Sequence, residues 1–175
     1  MTGKQAGQAA VIARGLTAGE TRLARAVFGT ALDPSRVRIH NRPYMPGQGK
    51  GVAMTPNGDV WFRPEDYVAD FSLNVGKSAW LVHELVHAWQ YQTNRSTRVR
   101  GFFEHAGRLI GLDPYRYGQL DPAKPFASYK NEQQAAIVED YFRLTQRLQP
   151  RFGSGSLQDY RAVIPFLPRP AARRR

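Results

Sequence analysis

Residues 77–92 read KSAWLVHELVHAWQYQ, and this stretch decides most of what can be predicted about the chain. Its side chains are apolar at most positions, which predicts a helix that is buried on nearly all sides. After the lysine at its start, the only ionisable groups apart from Tyr91 are His83, Glu84 and His87. A buried carboxylate between two imidazoles is costly unless something compensates its charge. The stretch therefore predicts a helix that carries a polar site.

The spacing of these groups is His-Glu-x-x-His, and it suits a metal ion. His83 and His87 are four residues apart, so on a helix both imidazoles lie on one face and can reach one cation. Glu84 would lie beside them, close enough to take a proton from a water molecule that the metal activates. The alternative is a core helix whose polar groups are satisfied by neighbouring side chains.

A catalytic zinc site needs a third protein ligand, and the chain has no cysteine to supply it. Histidine, glutamate and aspartate remain. Glu132 is the preferred candidate because it lies at the start of a predicted helix where the small residues Ala135 and Ala136 would allow close packing. The alternative is that Glu132 only stabilises the positive end of the helix dipole.

Three other residues remain open as the third ligand: Glu139, Asp140 and His105. Glu139 and Asp140 are also candidates for a different role. Either carboxylate could accept a hydrogen bond from the second ring nitrogen of His83 or His87 and so orient the imidazole.

The elements around the site predict an α+β fold. A small antiparallel sheet is expected over about residues 36–63, because Asn57-Gly58 between two apolar runs is a strong hairpin signal. This sheet should pack on the helix of residues 77–92 and on a long C-terminal helix over about residues 128–148. Near the N-terminus, Thr17 and Glu20 match a capping box, which predicts a helix from there to about Phe28.

The length of 175 residues predicts one domain, here residues 17–164. Residues 1–16 read as a flexible arm, and residues 165–175 read as a basic, disordered tail. No stretch resembles a signal peptide or a membrane-spanning helix, so the chain is expected to be cytoplasmic as synthesised. Export by a signal-independent secretion system is compatible with this expectation.

The net charge is +11, from 25 basic and 14 acidic residues. Such a balance fits nucleic acid, an anionic membrane surface or a cell-wall polymer as a partner. No known nucleic-acid-binding motif is present, so specific nucleic-acid binding is not expected. Six of the eleven excess charges fall in residues 1–16 and 165–175, which weakens any inference from the charge to the site.

The motif, together with a glutamate on a downstream helix, resembles the zincin metallopeptidases, and specifically the gluzincins. Longer strings resemble small bacterial Vgr-related or Rhs-associated proteins of type VI secretion loci. The resembling strings are LTAGE (16–20), RVRIHN (36–41), AMTPNG (53–58), residues 83–92, NEQQA (131–135) and DYF (140–142).

This resemblance implies Zn²⁺ bound by His83, His87 and Glu132, with Glu84 as the general base of peptide hydrolysis. It also implies a zincin-like fold in which the edge strand of the sheet receives an extended peptide. One departure stands out, because many gluzincins carry an acid four residues after the third ligand, where this chain has Ala136.

The oxyanion of such a reaction needs a donor, and four residues stay open for it: Tyr115, Tyr117, Tyr129 and His105. For each tyrosine, packing in the core or a loop is the simpler interpretation. His40, which follows an apolar strand residue, is expected to be a structural, hydrogen-bonded histidine.

The leading hypothesis is a zinc metallopeptidase that acts as a secreted bacterial effector toxin. Its expected partners are a protein or peptide substrate, with peptidoglycan stem peptides as one candidate, and a secretion apparatus or an immunity protein. The alternatives are a basic nucleic-acid-binding module and a secretion-apparatus adaptor, each with a structural or degenerate metal site.

Overall fold

The structure is a computed structural model that describes residues 13–93 and 113–168. The structure combines helices with two small sheets, one of three strands and one of two, which agrees with the expected α+β class. The strands are β1 (Ala13–Gly15), β2 (Arg38–Asn41), β3 (Val60–Phe62), β4 (Gly118–Gln119) and β5 (Gly153–Ser154). The helices are α1 (Ala18–Phe28), α2 (Val75–Gln92), α3 (Asn131–Thr145) and α4 (Leu157–Val163).

Helix α1 begins with the predicted capping box. The Thr17 hydroxyl accepts from the Glu20 N–H, and the Glu20 carboxylate accepts from the Thr17 N–H. Glu20 is completely buried, and it also accepts two bonds from the Arg14 guanidinium, at 2.6 and 2.8 Å, and one from the Phe71 N–H. This one carboxylate therefore joins β1, α1 and the turn that precedes α2.

The main sheet has the order β1-β2-β3, and its topology corrects the prediction of an antiparallel sheet. β1 and β2 are antiparallel, but β2 and β3 are parallel. The Asn57-Gly58 turn does form, with Gly58 at a φ of +87°, yet it joins only one antiparallel pair, Met54 with Trp61. The segment that contains Met54 runs antiparallel to β2, because the chain reverses once after β2. The Asn57-Gly58 turn reverses it again, so β3 runs in the same direction as β2.

Part of the predicted arm and part of the predicted tail pack on the rest of the fold. Ala13–Gly15, assigned to the arm, pair with β2 through backbone hydrogen bonds that composition does not reveal. At the other end, Phe166 packs on Phe28 at 5.0 Å between ring centroids, and Leu167 is buried. These two apolar side chains hold residues 165–168 against the core. Residues 1–12 and 169–175 lie outside the described residues.

Helices α2 and α3 form the centre of the molecule. α2 begins two residues earlier than predicted, because the Asn74 side chain caps it by accepting from the Lys77 N–H. α3 is shorter than predicted, since residues 126–128 form a separate 3₁₀ turn and Arg147 takes a φ of +60° after the helix. Within the two described ranges, no helix is long and apolar enough to cross a membrane.

Candidate metal centre

Helix α2 carries His83, Glu84 and His87 into the interior. Most other side chains of this helix are apolar and buried, and the fully buried ones include Leu81, Val82, Leu85, Val86 and Ala88. His83 and Glu84 are each 5% exposed, and the His87 side chain is 12% exposed. The predicted placement of these three groups on one buried helix is therefore present in the structure.

Helix α3 adds a carboxylate to the two imidazoles. Glu132 Oε2 lies 3.2 Å from His83 Nε2 and 3.3 Å from His87 Nε2. One ligand atom from each of the three residues lies within 4.8 Å of the other two. Ala135 and Ala136 are both fully buried, in agreement with close packing of α3. The residues predicted to share one metal ion thus converge.

The second nitrogen of each imidazole also has a partner. His83 Nδ1 lies 3.2 Å from Glu139 Oε2, and His87 Nδ1 lies 2.9 Å from Gln90 Oε1. With the proton on Nδ1, each ring donates to that partner and presents its Nε2 lone pair to the centre of the cluster. Glu139 therefore takes the orienting role that was left open between Glu139 and Asp140.

Gln90 was missed by sequence reasoning, although it lies three residues after His87, on the same face of α2. Its side chain is fully buried. The Gln90 amide N–H donates to Gln134 Oε1 at 3.0 Å and to the Asn131 carbonyl at 3.3 Å. These bonds tie the orientation of His87 to the start of α3, next to Glu132.

Glu84 does not join the cluster of the other three. Its Oε2 accepts a hydrogen bond of 2.7 Å from the Thr55 hydroxyl, in the segment just before the Asn-Gly turn. No local pattern pointed to Thr55, because the contact joins residues 29 positions apart. Glu84 and His83 both line a cleft of about 490 Å³. The carboxylate is therefore buried, oriented and open to this cleft.

The charges within the cluster shift its proton equilibria. Burial alone would lower the pKa of His83, yet the Glu132 and Glu139 carboxylates raise it to about 10. Burial also opposes protonation of His87, but the charge of Glu132 raises its pKa. The pKa of Glu132 is lowered, because the two imidazoles outweigh the effect of its burial. A cation entering the cluster would therefore displace imidazole protons.

Asp140, an alternative metal ligand, is fully buried and committed elsewhere. It accepts from the Tyr117 hydroxyl at 2.6 Å. It also accepts from the backbone N–H groups of Arg151, Phe152 and Gly153, at 2.5, 2.9 and 3.2 Å. Asp140 thus anchors a loop and is not part of the metal cluster. The other alternative, His105, lies outside the described residues.

The candidate oxyanion donors separate by position. Tyr115 lines the cleft beside His83, with 5.5 Å between the ring centroids. Tyr117 donates its hydroxyl proton to Asp140, and Tyr129 is buried under the Lys124 ammonium. Of the three tyrosines, only Tyr115 lines the cleft.

His40 behaves as the structural histidine that was expected. Its Nε2 lies 3.1 Å from Asp59 Oδ2, and its ring stacks on Trp61 with 3.6 Å between centroids. Both partners lie at β3 or immediately before it, so His40 helps to join β2 to β3.

The donor set fits a divalent cation. Two imidazole nitrogens and one carboxylate oxygen are the ligands of many catalytic zinc sites, which keep a further position open. Both imidazoles are oriented by hydrogen bonds from outside the cluster, as is usual for metal-ligating histidines. The buried negative charge of Glu132 also favours a cation at this position.

Comparison with known proteins gives two related matches, while no protein-family model matches the chain. The chain is 40% identical over 131 residues to the type VI secretion system spike protein VgrG2b of Pseudomonas aeruginosa. The match spans 74% of this chain but only 13% of that much longer protein. A solved structure, the effector domain of VgrG2b, is 38% identical with a TM-score of 0.68, over 76% of this chain and 75% of that one. The chain therefore belongs to the family of the VgrG2b effector domain.

Proposed function

We propose that this chain is a zinc metallopeptidase with a zincin-like fold. The observation that carries the proposal is the convergence of His83, His87 and Glu132, with Glu84 beside them in a cleft. Zinc is the proposed ion because two nitrogen ligands and one carboxylate suit it and leave a coordination position open. When bound, such an ion would supply a Lewis acid that polarises water and a substrate carbonyl.

Glu84 would serve as the general base. Its carboxylate is buried and borders the cleft, so it can take a proton from an attacking water and pass it to the leaving amine. The Thr55 hydroxyl bonds one of its oxygens and thereby restricts its orientation. Tyr115 is the proposed oxyanion donor, because it lines the same cleft.

We further propose that the chain acts as an effector delivered by a type VI secretion system. Support comes from its similarity to the VgrG2b effector domain and to part of the VgrG2b spike protein. The proposed partners are the secretion apparatus and a protein or peptide substrate, including peptidoglycan stem peptides.

Four variants test the metallopeptidase proposal. Glu84→Gln should keep one zinc per chain but abolish peptide hydrolysis. His83→Ala and Glu132→Ala should lose both zinc and hydrolysis, since each removes a ligand. Glu65→Gln, on an exposed glutamate paired with Arg63, is the matched control and should retain both. Zinc content by elemental analysis and cleavage of a peptide mixture by mass spectrometry are the measurements.

Hydrolysis that survives in Glu84→Gln would refute the proposed base. Zinc that survives in Glu132→Ala would move the third ligand elsewhere. An adaptor with a structural metal site would show zinc binding but no cleavage by any of the proteins, including the wild type.

A further inference from the structure

One wall of the cleft is built from two segments that lie on either side of α3 in the sequence. Residues 115–119 and 151–154 come together through the parallel pairing of β4 with β5, and we call them the two-strand wall. Tyr115 and Arg116 from the first segment line the cleft, as do Arg151 and Phe152 from the second. The Tyr115 and Phe152 rings lie 5.4 Å apart and both approach His83.

Hydrogen bonds to the buried Asp140 side chain hold the two-strand wall in place. This carboxylate accepts the backbone N–H groups at the start of the second segment and the hydroxyl of Tyr117 in the first. The Tyr117 hydroxyl also lies 2.5 Å from that of Tyr160, which is fully buried in α4. The wall is therefore anchored to two helices, and its cleft-facing side chains start from an ordered backbone.

The carboxylates that line the cleft all have partners, whereas one of the lining guanidinium groups does not pair with a carboxylate in the part of the chain that the structure describes. Each lining carboxylate already has a partner: Glu84 with Thr55, Glu139 with His83, and Asp113 with Arg116. Arg151 differs, because within the described residues no carboxylate pairs with its guanidinium, which lies 5.0 Å from the centre of the Phe152 ring. An exposed guanidinium stacked on an aromatic ring keeps its N–H donors available for a carboxylate.

We propose that Arg151 recognises a carboxylate of the substrate, so that the cleft prefers peptides with an acidic residue near the cleaved bond. This inference rests on the proposed peptidase function and adds a substrate class to it. Arg116, already paired with Asp113, lies on the same wall and would add to the positive potential. A carboxylate facing Arg151 would form a bidentate ion pair with its guanidinium.

The test uses zinc-loaded protein and a peptide mixture in which each position carries Glu or Gln. Wild-type cleavage products, identified by mass spectrometry, should favour Glu over Gln at one position by roughly two- to fivefold in kcat/KM. Arg151→Gln should remove this preference and Arg151→Glu should reverse it. Arg161→Gln, an exposed arginine on α4 outside the cleft, is the matched control for net charge and should keep the preference.

A second readout separates this inference from the peptidase proposal. Immobilised, zinc-loaded Glu84→Gln protein should retain the acidic peptides of the same mixture, and adding Arg151→Gln should abolish the enrichment. Enrichment without any wild-type cleavage would support the carboxylate site and refute the peptidase. Cleavage without an acidic preference, a preference that persists in Arg151→Gln, or neither cleavage nor enrichment would overturn the inference.

Discussion

Gln90 is the side chain on which the orientation of His87 depends. Gln90→Met keeps the volume but removes the acceptor from His87 Nδ1, so zinc affinity should fall by about 10- to 100-fold. Gln90→Glu retains an acceptor and should restore most of the affinity. Competition with a chromogenic chelator measures the change. Gln92→Met, on the same helix but bonded to the Asp33 backbone, is the control. Equal affinities for the Gln90→Met and Gln92→Met proteins would contradict this role.

Thr55 restricts Glu84 in the same way, but from a different part of the chain. Thr55→Val removes the hydroxyl and leaves a buried carboxylate oxygen without its donor. Zinc content should stay unchanged, while peptide hydrolysis should fall by roughly 10- to 100-fold because the proposed base, Glu84, loses its alignment. Thr55→Ser returns the hydroxyl and should recover the rate. Steady-state kinetics of the three proteins decide the matter, and a valine variant as fast as wild type would exclude the role.

At the level of elements, the β4–β5 pairing depends on a glycine. A Cβ at Gly153 would overlap the Tyr117 ring and the Gly118 carbonyl oxygen. Gly153→Ala should therefore separate the two-strand wall, lower the free energy of unfolding by about 1–3 kcal/mol and raise KM for peptides. Gly15→Ala, where no atom lies within 4 Å of the added carbon, is the control. Urea denaturation and peptide kinetics provide the measurements. Identical unfolding curves for both alanine variants would show that the wall tolerates the extra carbon.

At the scale of the whole molecule, Glu20 connects the N-terminal strand, the first helix and the approach to α2. Glu20→Ala removes the carboxylate of a largely buried ion pair, so Arg14 loses its charge partner and the Thr17 and Phe71 N–H groups lose their acceptor. The free energy of unfolding should fall by about 3–5 kcal/mol. The matched change Glu65→Ala breaks an exposed pair and should cost less than about 1 kcal/mol. Chemical denaturation measures the free energy of unfolding of both variants. A loss for Glu20→Ala as small as that for Glu65→Ala would mean that the Glu20 network contributes little to stability.

Features that depend on residues close together in the sequence could be predicted, whereas features that depend on contacts between distant residues could not. His83 and His87 were predictable because a helical repeat places them together, and Glu132 because small residues flank it. Gln90 obeyed the same repeat, but an amide is too common on helices to be distinctive. Thr55 had no local signal at all. Only tertiary contacts determine that β3 runs parallel to β2 and that residues 165–168 cover the core.

The separation of the proposed metal ligands along the chain has a consequence for folding. His83 and Glu132 are 49 positions apart, so closing the loop between them costs about 3.5 kcal/mol in chain entropy. A nascent chain presents only the two histidines until Glu132 has been synthesised, and even then the ligand set is complete only when α3 docks on α2. The proposed centre is therefore incomplete, and without hydrolytic activity, during translation and during any transport of the unfolded chain. Hydrolytic competence would begin only once α3 has docked on α2.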